Sequence, residues 1–350
     1  MRISDAMTHL PERISHFLIH LAAILSAALM CVCCTHAPED DSSVIFRDGG
    51  YPSAVYHDGM YYMTMQSEHS DVILLRSSAV LADIGKGEEK VILDGHCNMV
   101  YSPDICRIGD KWYIYFESDD GSNTDTHQIY VLENPSPDPM KGEWTLHGPI
   151  VTNNEWNFSI HPNILSCNGR LYMLWSGWQK RRVESETQCI FIAEMENPWT
   201  LKSERVMISL PEYEWERQWI NTDGSRSAYP IFVNENPQAV LSPDGKNVVV
   251  FYSASGIWTE FISLGMLYAP ASSDLLDPRS WTKLPEPQFT PAPETPGKRS
   301  SNVSVVNNPD DGKNYLVFEA RVRRDGAIMR WCEARELEWN AESLPVLGHP

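Results

Sequence analysis

Apolar and polar residues alternate along this chain in short runs closed by turns, and five of the runs share one phrase. The copies read YPSAVYHDGMYYMTM from Tyr51, SPDICRIGDKWYIYF from Ser102, HPNILSCNGRLYMLW from His161, NPQAVLSPDGKNVVVFY from Asn236 and SNVSVVNNPDDGKNYLVF from Ser301. Each is a short apolar strand, a polar turn containing Gly, and a second strand rich in aromatic and β-branched residues. That pattern predicts a β-hairpin. Pro stands second in four copies, where the start of a strand tolerates a missing N–H. The fifth copy has Asn302 there. Hairpins this far apart leave room for two further strands per unit, as in a propeller blade of about 40–50 residues with insertions.

A second phrase supports that reading. NPSPDPMKGEWTL (Asn134–Leu146), ENPWTL (Glu196–Leu201) and LLDPRSWTKL (Leu275–Leu284) each place a Pro-containing turn before a Trp-Thr pair. The pair is expected to open the outermost strand of a blade, with the Trp covering a seam between blades. The third strands are expected at His127–Glu133, Cys189–Met195 and Leu264–Pro270. Helical periodicity is nearly absent. The expectation is an all-β, five-bladed propeller over residues 44–350, in one domain. The long polar and aromatic stretch Pro211–Ile231 is expected to wall a pocket.

The N-terminus reads differently. Phe17–Met30 is almost wholly apolar, with Arg13 before it and Cys31, Cys33 and Cys34 after it. Residues 1–34 are expected to be a secretory signal peptide of the bacterial lipoprotein type, with Cys33 or Cys34 lipidated and 35–43 a short acidic tether. Such a chain is exported to the periplasm or the outer-membrane surface, touching the membrane only through its lipid. The net charge of −19 excludes a nucleic-acid partner and disfavours polyanionic substrates. Cys97, Cys106, Cys167, Cys189 and Cys332 show no CxxC spacing and read as small buried hydrophobes, so neither a structural metal nor a cofactor is expected.

In a propeller the first strand of every blade lines a central funnel, so Tyr51, Ser102 with Asp104, His161, Glu235, and Ser300 with Ser301 are the positions to compare. At these positions, and in YSPDICRIGDKWYIYFESDDGSN, GRLYMLWSGW, PWTLKSERVMIS and VVVFYSASGIWT, the chain resembles glycoside hydrolase family 43. These are five-bladed propellers, mostly arabinofuranosidases, xylosidases and arabinanases. The resemblance implies an inverting hydrolase of a neutral plant-type glycan, an oligosaccharide or a polysaccharide side chain. It also implies a general acid at Glu235. Where the family carries its base and its tuning Asp, this chain has Tyr51 and His161. Ser301 falls where a central His is usual, Arg321 matches a sugar-contacting Arg, and His127 fits a position beside the channel.

With one of three family carboxylates in place, the expected base is non-standard: His161 first, then Asp104 or Asp48. Tyr51, Trp215, Trp219 and Trp258 are expected as sugar platforms or seam fillers, and Tyr51 also as a sialidase-like nucleophile. The bland readings are a blade-edge Glu235 and a satisfied core His161. Together these leave a catalytically silent propeller that binds a glycan or a protein as the alternative to a hydrolase.

Overall fold

The computed structural model describes residues 41–47, 49–67, 71–95, 97–153, 158–179, 186–220, 225–259, 261–290, 298–324 and 327–349. The expected signal segment with Cys33 and Cys34, the first residues of the tether, and Asp48 lie outside them. The chain divides at Ser42, and every strand belongs to the unit Ser43–Pro350. No helix among the described residues is long and apolar enough to cross a membrane.

The five phrases fold as five antiparallel hairpins. They are Gly50–His57 with Met60–Gln66, Asn98–Ile108 with Lys111–Asp119, Ser159–Cys167 with Arg170–Gly177, Arg226–Leu241 with Asn247–Ala254, and Lys298–Asn308 with Lys313–Arg324. Two of them turn through Asp58-Gly59 and Asn168-Gly169, where all four φ angles are positive, between 51° and 78°. A two-residue type I′ turn requires that conformation, and Asp-Gly and Asn-Gly supply it at least cost.

A third strand extends each hairpin: Val72–Ser78, Gln128–Asn134, Glu186–Asn197, Ser263–Pro270 and Ala327–Glu336. The expected third strands agree with these except at their ends. Thr145–His147, Thr200–Leu201 and Thr282–Lys283 follow the three Trp-Thr signals as edge strands, although Val206–Ser209 forms a longer edge in the third repeat. The outer strand of the fifth sheet comes from the other end of the chain, where Val44–Phe46 pairs with Ala327–Glu336. A parallel pairing of Glu186–Gln188 with Ile231–Val233 joins the third and fourth repeats into one sheet.

The second strand of each hairpin is apolar on both faces, because each face meets a different neighbour. Trp112, Ile114 and Phe116 enter a cluster shared with the first repeat, while Tyr113 and Tyr115 enter one shared with the third. In the same way Tyr172 and Leu174 face the fourth repeat and Met173 and Trp175 the second. Two further clusters join the fourth repeat to the fifth and the fifth back to the first. The strands therefore read as nearly continuous hydrophobic runs, as doubly covered strands do. Trp144 and Trp281 pack against two of these clusters, and Trp199 stacks on His147 across a third seam at 4.3 Å.

Each first strand is broken at one equivalent residue, and that of the second repeat also at Met99. Tyr51, Ser102, His161, Asn236 and Asn302 all have φ between 47° and 54°, and the pairing register slips there in every hairpin. Non-glycine residues rarely adopt this conformation, and β-bulges of this kind re-aim side chains. The bulge also corrects the fifth repeat. Asn302, not Ser301, stands at the place of Tyr51 and His161, with Val303 where the other repeats have Pro. A one-residue slip turns every side chain to the other face, so Ser301 aligns instead with Glu235.

Candidate functional site

Three of the bulges are held by acceptors from the preceding repeat. In the register, Gln66, Glu117, Ser176, Ser253 and Glu319 lie opposite Gly50, Tyr101, Ile160, Glu235 and Ser301, at one equivalent position of each second strand. Glu117 Oε2 accepts the His161 N–H at 3.0 Å, Ser176 Oγ accepts the Asn236 N–H at 2.9 Å, and Glu319 Oε2 accepts the Tyr51 N–H at 2.9 Å. These bonds satisfy N–H groups that the broken ladder leaves unpaired.

Beside the bulges lies a cavity of about 400 Å³. Tyr51, Tyr101, Ile160, Ile257 and Trp258 form apolar parts of its wall, and Glu117, His127, His161, Gln188 and Glu235 its polar parts. In its wall His161 stands between two carboxylates. Its Nε2 is 3.7 Å from Glu117 Oε1 and its Nδ1 is 3.8 Å from Glu235 Oε2. Both contacts are longer than hydrogen bonds. Burial, reinforced by His127, pushes the His161 imidazole down to about 3, so the ring is neutral at neutral pH. Burial likewise pushes the Glu117 carboxyl up to about 7, against the opposing pull of His127 and of the His161 N–H. Glu235 is wholly buried, and its Oε1 accepts the Ile257 N–H at 2.6 Å.

His127 is buried with Nδ1 2.8 Å from the Thr124 carbonyl and Nε2 3.0 Å from the Met99 carbonyl. A carbonyl oxygen only accepts, so each of these bonds is made through a ring nitrogen that carries a proton. Tyr51 is stacked on His161 with ring centroids 5.9 Å apart, and Tyr101 lies at the same distance on a tilt. Burial holds the Tyr51 phenol well above its ordinary range, although Arg321 pulls the other way.

Other expected residues lie elsewhere. Asp104 is not in the cavity wall. It accepts from Ser53 Oγ at 2.8 Å and from Asn163 Nδ2 at 3.3 Å, while Asn163 Oδ1 accepts the Ala239 N–H at 2.9 Å. That chain of bonds stitches the first strands of four repeats together. Arg321 is spent on Glu319 and on the Ile257 carbonyl, behind Tyr51. Ser301 is fully buried outside the wall. Trp215 fills a seam, donating to the Pro285 carbonyl at 2.7 Å, and Trp219 lies edge-on to Phe232. Of the three tryptophans only Trp258, half exposed, reaches the cavity.

Glu117, Gln188 and Tyr101 were not singled out by the first-strand comparison. Glu117 could have been found by aligning the second strands, where MTMQ, IYFES, MLWSG, VFYSA and LVFEA bring Gln66, Glu117, Ser176, Ser253 and Glu319 into one column.

The family model described as "Glycosyl hydrolases family 43" matches residues 41–345. An extracellular exo-α-(1→5)-L-arabinofuranosidase of Streptomyces chartreusis is 32% identical over 323 residues, covering 89% of this chain and 93% of the relative. A like-named protein of Streptomyces avermitilis is 34% identical over 309 residues, covering 84% of this chain and 60% of its own length. Among solved structures, an α-L-arabinofuranosidase from Lactobacillus brevis superposes with a TM-score of 0.76 at 28% identity, over 87% of this chain and 95% of that one.

Proposed function

From the premise that the chain belongs to glycosyl hydrolases family 43 and is a glycosyl hydrolase, we propose that it is an exported five-bladed propeller that removes terminal α-L-arabinofuranosyl residues from a neutral plant-type glycan. Five hairpins, each with a third strand, and core clusters that run from repeat to repeat and back to the first support five blades. The Streptomyces relatives, extracellular exo-α-(1→5)-L-arabinofuranosidases, support export and exo action on arabinose. The apolar run before Cys33 and Cys34 supports a lipid anchor.

Glu235 carries the reading. It is a buried carboxyl in the cavity wall, one residue before a bulge and held in place by the Ile257 N–H. In that position it protonates the leaving glycosidic oxygen. The cavity is at the small end of ligand pockets, which run from about 300 to 1,000 Å³, and this favours a terminal sugar over a long run of chain. The wall carries three carboxyl side chains, Glu117, Asp125 and Glu235, and neither Lys nor Arg among the described residues, so a neutral sugar is preferred to a uronate. Tyr51 and Trp258 offer the apolar faces on which a sugar's C–H face stacks.

Release of arabinose from α-1,5-linked arabino-oligosaccharides tests the assignment. The Glu235→Gln variant is expected to lose turnover of these substrates by about 10²–10⁴-fold while keeping its fold. Turnover unchanged in that variant, or absent from the wild type across arabinosides and xylosides, would overturn it.

A further inference from the structure

The position of the usual base is occupied by Tyr51, yet the cavity contains a second carboxylate. We propose that Glu117 is the general base of this enzyme, taking the proton of the attacking water opposite Glu235. The inference rests on the glycosidase reading above and assigns a residue from a different repeat and a different strand.

Of the five equivalent second-strand positions, two carry carboxylates, and their surroundings differ. Glu319 is neutralised by Arg321 and by nearby Arg330, and it does not line the cavity. Glu117 lines it, and the charge that acts on it there is that of His127 rather than of an arginine. Its Oε2 is fixed by the His161 N–H, and Oε1 is the oxygen that receives the water proton. One imidazole separates Oε1 from the nearer oxygen of Glu235, with contacts of 3.7 and 3.8 Å on its two nitrogens. Inverting enzymes hold their two carboxyls about 6.5–9.5 Å apart, against about 5 Å for a nucleophilic pair; Glu117 and Glu235 are not in direct contact and both line the one cavity in which such a pair would act.

The rivals are weaker acceptors or are otherwise engaged. An imidazole that stays neutral down to about 3 holds a proton poorly, whereas a carboxyl near 7 holds one well once formed. Asp104 is committed to Ser53 and Asn163 outside the wall. The Tyr51 phenol, held well above its ordinary range, gives up its proton too reluctantly to attack.

In the step itself, the water oxygen bonds to the anomeric carbon as the bond to the leaving oxygen breaks. The water proton passes to Glu117 Oε1 and the Glu235 proton to the leaving oxygen. The sugar is released with inverted configuration, and solvent exchange returns both carboxyls to their starting states. The charge of a protonated His127 favours the anionic base, and His161 lies between the two carboxylates.

The groups facing Glu117 are His127, His161, Tyr51 and Tyr101, with Glu235 beyond the imidazole. The test uses the full-length enzyme on 4-nitrophenyl α-L-arabinofuranoside and on arabinobiose, with azide as an external nucleophile. Glu117→Gln is expected to lose about 10²–10⁴-fold in kcat on both substrates. Azide is expected to restore turnover of the nitrophenyl substrate, giving an arabinosyl azide of inverted configuration. Glu235→Gln should instead spare the nitrophenyl substrate, whose leaving group needs no proton.

A Glu117→Gln variant within tenfold of wild type, or one that spares the nitrophenyl substrate as an acid variant does, would overturn the assignment. So would loss without azide rescue in a variant that still binds arabinose. A wild type inactive on both substrates removes the glycosidase reading along with it. An active wild type beside an active Glu117→Gln removes only the base.

Discussion

Glu117 of the second repeat accepts the main-chain N–H of His161 in the third, 3.0 Å away across a seam between hairpins. One carboxylate thus holds a left-handed residue in place and also lines the cavity. Structural support and chemistry meet in a single side chain, and its titration should be visible in stability.

Burial raises the folded-state value of Glu117 from 4.5 to about 7. Between those values the folded chain binds the proton more tightly than the unfolded one, so this carboxyl costs stability as pH rises through the window. The Glu117→Gln variant has no such proton to lose. Its stability relative to wild type should therefore improve between pH 4.5 and 7, by on the order of 3 kcal/mol. Urea titrations of both proteins at several pH values check this; a gap that stays constant with pH would count against it.

Arg321 and Glu319 form a buried pair beneath Tyr51. Burial alone would raise Glu319, but Arg321 and Arg330 outweigh it and hold the carboxyl below its ordinary value. Arg321→Met leaves that buried charge to Arg330 alone and should cost about 3 kcal/mol at neutral pH. A depressed carboxyl contributes stability above its unfolded value and loses it as pH falls. The cost of Arg321→Met should accordingly shrink in acid, as chemical denaturation of both proteins would record.

Trp258 and Trp219 separate a cavity aromatic from a surface one. Trp258→Ala should raise KM about 3–10-fold with a smaller change in kcat, since a stacking face is lost from both ground and transition states. Trp219→Ala, away from the wall, should leave both constants within about twofold. Steady-state kinetics on arabinobiose decide, and equal effects at the two sites would refute the distinction.

Gly265 lies directly against the ring of Tyr252, and a Cβ there would collide with it. The Tyr252 hydroxyl donates to Glu216 Oε1 at 2.8 Å, and Lys283 Nζ is 2.6 Å from the same oxygen. Gly265→Ala must displace the ring and strain that buried triad, at a cost of about 3 kcal/mol. A urea midpoint unchanged from wild type would show that the ring can yield.

Much of the fold was legible in the sequence because a period-two pattern and Gly-containing turns are local signals. The five hairpins, the third strands of three repeats and the edge strands after Trp-Thr all follow from them. The site was less legible because its members come from different strands and are aimed by bulges. Glu235 could be read beside its Pro, but Glu117 sits mid-strand in a run that otherwise reads as core. Asp104 looked available from its position, yet folding spends it on Ser53 and Asn163. In the fifth repeat, Val303 in place of Pro removed the marker that would have fixed the register, so Ser301 was aligned one residue out.

Val44–Phe46, three residues long, closes the fifth sheet by pairing with Ala327–Glu336 near the other end of the chain. During synthesis this strand emerges early and waits for almost the whole chain before its partner exists. The contact carries nearly the largest loop-closure entropy the sequence allows, and topology places it late in assembly. Until it forms, the backbone of Ala327–Glu336 offers an unpaired edge to any other chain nearby. A clip between Phe46 and Gly50 would leave the enzyme's residues in place while removing the covalent tether of that seal.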